Sequence, residues 1–324
     1  VVEPDRVYLI PPKVNLTVFH GKILLNEQDQ KRGWNLPIDL FFRSLADDLG
    51  ERAIGIILSG TGSDGMRGIR TIKGQGGMVM VQDEDTAKFD GMPRSAISTG
   101  LADFILPPEE MPAQLVSYLK HPYVQRKQAT DELATDEDNL TRIFAMIREK
   151  HNIDFTYYKM STVLRRLERR LTVTQTEELP EYIRYLEAHP RELTTLYREM
   201  LIGVTNFFRD KKAYELLQEK WIPGLIERRT SREMRIWVAG CSTGEEAYSL
   251  AILFREVMDE MDQPVDLKIF ATDVDQDAIL HAGNGVYPEG IAADLPPRIL
   301  TKYFFRKDEN FQIIRQIREM VVFA

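Results

Sequence analysis

The chain has 324 residues, a length that fits two domains of ordinary size. With 43% hydrophobic and 28% charged residues and a net charge of -8, it excludes wholesale disorder and argues against a broadly basic nucleic-acid binder. A single cysteine, Cys241, excludes an intrachain disulfide and a cysteine metal cluster, and no apolar run reaches the roughly 18 residues that a membrane span needs.

The first 120 residues alternate strand-like and helix-like stretches. Ala53–Leu58 is a short apolar run bounded by glycines, which predicts a buried strand. Gly65–Lys73 reads as a helix and Met78–Val81 as the next strand, an order that points to a parallel α/β sheet. Between them, Gly60, Gly62 and Gly65 satisfy the G-x-G-x-x-G fingerprint, with Asp83 about twenty residues on, so a dinucleotide site of NAD type is one reading. A polar stretch over 121–139 is expected to be a linker. From Leu140 to about Leu201 the pattern is helical, with Val163, Leu164, Leu167 and Leu171 forming a buried stripe. Arg165, Arg166, Arg169 and Arg170 crowd the same two turns, and like charges four apart repel by about 0.2–0.5 kcal/mol per pair in an isolated helix. They form either a solvated face or a docking face for an acidic partner.

After Ser231 the pattern returns to α/β: a strand over Arg235–Ala239, a helix over Thr243–Met258 and a strand over Leu267–Ala271. The turn Gly240-Cys241-Ser242-Thr243-Gly244-Glu245-Glu246 links the first strand to the helix, where glycines permit close backbone approach and free N–H groups favour polar ligand groups. Asp273 ends the neighbouring strand, where an acid accepts hydrogen bonds from ribose hydroxyls. It stands 33 residues after Gly240, longer than the roughly 20 of the dinucleotide fingerprint, which argues for an adenosyl ligand of another kind. Short antiparallel strands are expected over Tyr303–Phe323. Cys241, with no histidine near it in sequence, reads as a small residue packed in a turn. The five histidines show no paired metal spacing, so no metal is expected.

Together with Thr205-Asn206-Phe207-Phe208-Arg209, these motifs resemble the CheR-type chemoreceptor methyltransferases. The Thr-x-Phe-Phe-Arg segment, the Ser-Thr-Gly-Glu-Glu turn and the Ala-Thr-Asp strand end occur in that family's order, followed by Ala282-Gly283-x-Gly285-x-Tyr287 and Tyr303-Phe304. The resemblance implies that Thr205, Arg209, Gly240, Glu246 and Asp273 line a site for S-adenosyl-L-methionine. Arg209 would pair with the methionine carboxylate, Glu246 would hold the amino-acid end and Asp273 the ribose. Gly203 stands where the family has asparagine. It also implies methyl transfer to glutamate side chains of methyl-accepting chemoreceptors, with the arginines at 165, 166, 169 and 170 docking the receptors' cytoplasmic helices.

The earlier segment resembles the end of a CheB-type methylesterase, carried by Gly60-Thr61-Gly62-Ser63-Asp64-Gly65 and Gly91-Met92-Pro93-Arg94-Ser95-Ala96-Ile97. There Asp64 would be the acid that orients a histidine toward a serine. The family's serine and histidine fall upstream of this chain, Thr61 breaks a G-x-S-x-G pattern at Ser63, and His20 reads as a surface residue, so no esterase activity is expected.

The expected organisation is therefore α/β: a partial parallel esterase sheet (1–120), a linker (121–139), a small all-helical domain (140–203), and a Rossmann-like methyltransferase domain with a small β insertion (204–324). The chain is expected to be cytoplasmic, to insert in no membrane, to bind no nucleic acid, and to be a piece of a longer CheB–CheR fusion truncated at both ends. The competing class is a non-catalytic scaffold module of a signalling protein.

Overall fold

A computed structural model describes residues 1–28, 35–125, 133–308 and 310–324. Part of the expected linker, 126–132, lies outside the described residues. The chain divides into two compact units, one of Val1–Gln28 with Pro37–Ile202, the other containing Gly203–Ala324.

The first unit opens with an antiparallel hairpin, β1 (Val14–Phe19) and β2 (Lys22–Glu27), turned at His20 and Gly21, both at positive φ. Helix α1 (Pro37–Leu49) leads to β3 (Ile54–Ile57), α2 (Met66–Gly74) and β4 (Met78–Gln82). Then come α3 (Gly91–Ser98), β5 (Phe104–Leu106), α4 (Met111–Lys120) and the single turn α5 (Pro122–Gln125). Strands β3, β4 and β5 form a parallel sheet with β4 at its centre, buried along its whole length. That is why Met78–Val81 reads as a continuous apolar run. The helical segment follows: α6 (Glu137–His151), α7 (Met160–Thr174), α8 (Leu179–Ala188) and α9 (Pro190–Met200). The stripe Val163, Leu164, Leu167 and Leu171 is buried in its core with Ile143, Tyr182 and Leu196.

The second unit begins with α10 (Lys211–Leu216) and α11 (Ile222–Glu227), then β6 (Glu233–Ala239), α12 (Glu245–Met261) and β7 (Asp266–Thr272). It continues through α13 (Gln276–Asn284), β8 (Val286–Pro288), α14 (Pro297–Tyr303), β9 (Phe304–Lys307), β10 (Asn310–Ile313), α15 (Arg315–Arg318) and β11 (Val321–Phe323). Strands β8, β10 and β9 form a small antiparallel sheet. The antiparallel expectation for Tyr303–Phe323 fails at its end, because β11 pairs parallel with β7 in a sheet of order β11-β7-β6. The alternating residues Val238, Leu267, Ile269, Ala271 and Val321 turn one face of that sheet into the core, with Ala247, Ala251 and Ile252 of α12. No described helix is long and apolar enough to cross a membrane.

Candidate functional site

The two glycine turns do different work. In the first unit, a side chain at Gly60 would collide with Met92 Sδ at 2.4 Å, and one at Gly65 with Ile57 Cδ1 at 2.5 Å. The loop's backbone is already engaged: Gly60 N–H donates to Phe89 at 2.9 Å, and Gly60 and Gly62 carbonyls accept from Met92 N (2.8 Å) and Ser95 Oγ (3.2 Å). Gly60 and Gly65 thus admit neighbouring protein and not a pyrophosphate, while Gly62, at φ +81°, faces open space. Two of the three fingerprint glycines are explained by packing, which argues against the dinucleotide reading of Gly60, Gly62 and Gly65.

Asp64 accepts the N–H groups of Ile38 (3.0 Å) and Asp39 (2.9 Å) and so caps α1, an arrangement favoured by the positive helix N-terminus. His20 lies at the other end of α1, where its backbone N–H donates to Asp48, so it is no partner for Asp64. Asp39 is buried, accepts from Gly68 N, and is pushed up to about 6 by burial, the nearby Asp64 adding to the shift. A carboxyl raised in the fold favours folding most below about pH 4, and stability falls by about 2–3 kcal/mol as pH rises through 6. Asp39→Asn is expected to flatten that slope. Urea unfolding at about pH 4 and pH 7 checks it, and a variant keeping the native slope would clear Asp39 of the effect.

The arginines of α7 are not a solvent-facing surface. Arg166, Arg169 and Arg170 are 3%, 4% and 5% exposed. Arg165 and Arg166 donate to the carbonyl of Gly74, at 3.4 and 3.0 Å. Arg169 donates to Gly77 O (2.6 Å) and to Asp103, while Arg170 pairs through two bonds with Glu192 (2.8 and 2.7 Å), which also accepts from Tyr182 OH (2.8 Å). Lys73 completes the cluster, donating to Asp103 (2.8 Å) and Glu199. Burial acts to raise Asp103 and Glu199, yet Arg169 and Lys73 hold both carboxyls below the usual range. The docking assignment of Arg166, Arg169 and Arg170 is thereby corrected, and half-buried Arg165 is drawn to the same carbonyl edge. Their acidic partners belong to this chain.

In the second unit three of the predicted cofactor residues, Gly240, Glu246 and Asp273, stand just beyond the carboxyl ends of β6 and β7, where ligands of open α/β sheets sit. Asp273 Oδ2 accepts from Ser242 N (2.7 Å) and Oδ1 from Asp275 N (2.9 Å), so the acid pins the glycine turn of β6 to the end of β7. Gly240 and Cys241 donate to Thr272 O at 2.8 and 3.0 Å from the same side. Gly244, at φ +92°, is packed against Ala282 and Phe323, but Gly240, at φ +71°, would point a side chain into open space. That opening, beside a carboxylate with spare acceptor capacity, suits a polar ligand laid against the backbone. Glu246 is exposed in the first turn of α12.

The segment bearing Thr205 and Arg209 joins this site through its phenylalanines. Phe207 is 1% exposed and meets Tyr287 and Phe304 edge-on, at 4.9 and 5.4 Å between ring centres. Tyr287 OH donates to Thr243 O at 2.8 Å, tying that wedge to the glycine turn. Phe208 takes φ +49°, and its N–H donates to Ser249 Oγ at 3.1 Å. Thr205 is half-buried, and exposed Arg209 folds back to donate to Val204 O. Burial, with Asp273 adding to it, pushes the Cys241 thiol up to about 11, which suits a packing residue and not a nucleophile. Ser249 escapes a reading by motif alone, and the available signal was its standing four residues after Glu245, on one helix face, whereas Tyr287 closes the Ala282-Gly283-x-Gly285-x-Tyr287 motif. A separate cavity of about 680 Å³ opens beside Phe208, Tyr214 and Glu256, and none of the five predicted cofactor residues lines it.

Three family models match the chain. One described as CheB methylesterase covers residues 1–115, one described as CheR methyltransferase, all-alpha domain, covers 138–201, and one described as CheR methyltransferase, SAM binding domain, covers 203–324. The "Uncharacterized 104.1 kDa protein in hypE 3'region" of Rhodobacter capsulatus is 40% identical over 342 residues, 99% of this chain and 36% of that protein. The "Chemotaxis protein methyltransferase" of Borreliella burgdorferi is 32% identical over 193 residues, 58% of this chain and 68% of that protein. The "Protein-glutamate methylesterase/protein-glutamine glutaminase" of Moorella thermoacetica is 48% identical over 80 residues, 25% of this chain and 19% of that protein. The chain thus spans 36% of the Rhodobacter relative's length and 19% of the Moorella relative's.

Proposed function

Since the chain belongs to the CheR family of chemotaxis methyltransferases and carries a CheB methylesterase segment ahead of it, we propose that its second unit binds S-adenosylmethionine and methylates glutamate side chains of chemoreceptors. One observation carries this reading: Asp273 holds the Gly240–Glu246 turn at the ends of two adjacent parallel strands, beside open space at Gly240. When bound, the cofactor supplies an electrophilic methyl group on a sulfonium, which a glutamate carboxylate accepts as a methyl ester without a covalent enzyme intermediate. Asp273 would accept from the ribose hydroxyls, Arg209 would pair with the cofactor's carboxylate after releasing Val204 O, and Glu246 would meet its ammonium. Thr205 and the Gly240 backbone would close the remaining sides. The protein's contribution is positioning, which lowers the entropic part of the barrier.

The esterase-type segment packs against the helical segment, where Arg169 meets Gly77 O and Asp103. Asp64 caps a helix and has no histidine partner among the described residues. The proposal is tested by methyl transfer from labelled S-adenosylmethionine to a chemoreceptor's cytoplasmic helices. Base-labile label on glutamate is the expected product, and label that resists base would contradict an ester.

A further inference from the structure

We propose that Ser249 is a positioning residue that couples the two halves of the cofactor site, holding the Arg209 segment in register with the Glu246 turn. The inference rests on the cofactor reading above. Ser249 is fully buried in the second turn of α12. Its hydroxyl donates to Glu245 O, one helical turn back, at 2.6 Å, the usual habit of a serine inside a helix. That bond uses the hydroxyl's only proton and leaves its lone pairs, one of which accepts Phe208 N–H at 3.1 Å. A single oxygen therefore joins the helix turn that carries Glu246 to the residue before Arg209.

The Phe208 end of this tie is where a tie is needed. Phe208 is held at φ +49°, a conformation that a bulky residue adopts only when its surroundings compel it. Its ring is braced edge-on by Tyr214 at 5.2 Å between centres. Without the Ser249 acceptor, the Phe208 N–H loses its partner and the left-handed turn loses its main polar restraint. Arg209 would then sample positions away from the cofactor's carboxylate. Asp273 directly follows β7, its carboxylate accepts from the backbone N–H groups of Ser242 and Asp275, and it is held independently of Ser249.

This separation makes the inference testable with two ligands. S-Adenosylhomocysteine carries the amino-acid end that Arg209 and Glu246 would grip, and 5′-methylthioadenosine lacks it but keeps the ribose and adenine. Alanine favours a helix interior more than serine does, so Ser249→Ala should leave α12 intact, and circular dichroism confirms that the variant is folded at the titration temperature. In calorimetric titrations of the full chain, Ser249→Ala is expected to lose about tenfold in affinity for S-adenosylhomocysteine and to stay within about twofold for 5′-methylthioadenosine. Equal losses for both ligands would reduce Ser249 to a packing residue, and unchanged affinity for both would remove its role. If the native chain bound neither ligand, the cofactor reading would fall and this inference with it. Native binding that the variant merely preserves would sink the inference alone.

Discussion

Replacing Asp103 with alanine is expected to destabilise the first unit by about 3–5 kcal/mol, the usual result of removing one partner from a buried ion cluster. Asp103 has no exposed side-chain surface and faces Lys73 at 2.8 Å, Arg169, and Arg170 at 3.7 Å. It also accepts Val79 N–H at 2.8 Å, which fixes the edge of β4. Its loss would leave three buried cations to Glu199 and Glu192. The matched control is Glu187→Ala, which breaks the exposed Arg142–Glu187 pair and should change stability by less than about 1 kcal/mol. Because Asp103 and Glu199 titrate low in the fold, their contribution is present above about pH 4 and is lost as pH falls below it. Urea unfolding followed separately by probes in the esterase-type and helical segments should give one coincident transition. Two separate transitions, or a loss below 1 kcal/mol for Asp103→Ala, would show that the cluster does not join them.

The second large effect is expected at Asp273. Asp273→Ala removes the two bonds that hold Ser242 and Asp275 and, on the proposed reading, the acceptor for the ribose. Charge-assisted hydrogen bonds contribute about 1.5–3 kcal/mol each, so affinity for S-adenosylhomocysteine should fall on the order of 100-fold. Asp273→Asn keeps one acceptor and should fall less. An affinity within threefold of native for Asp273→Ala would place the ribose elsewhere.

Much of this architecture was legible because its signals are local. Short apolar runs marked β3, β4, β6 and β7, and the 3.6-residue stripe of α7 marked the helical core. The pairing of β11 with β7 was not legible, since Met320–Phe323 is a short apolar run with no period, and its neighbour lies across the α13–β10 insertion. The arginines of α7 were misread for the same kind of reason. Their partners Asp103, Gly77 and Lys73 stand 66, 92 and 93 residues away, so a local count of charge shows repulsion where the fold supplies acids and carbonyls. The fingerprint at Gly60, Gly62 and Gly65 misleads because close packing of Met92 at Gly60 and of Ile57 at Gly65 selects glycine as strongly as a phosphate does, and the left-handed turn selects it at Gly62.

On the proposed reading, the second unit of this chain is a site for an adenosyl amino acid. Calorimetric titration of the chain with S-adenosylhomocysteine and, in parallel, with NAD tests it most directly, with circular dichroism confirming that the protein is folded. Saturable one-site binding of S-adenosylhomocysteine, weakened by Asp273→Ala, and no heat with NAD are expected. Binding of NAD that Gly62→Val abolishes, with none of S-adenosylhomocysteine, would contradict it.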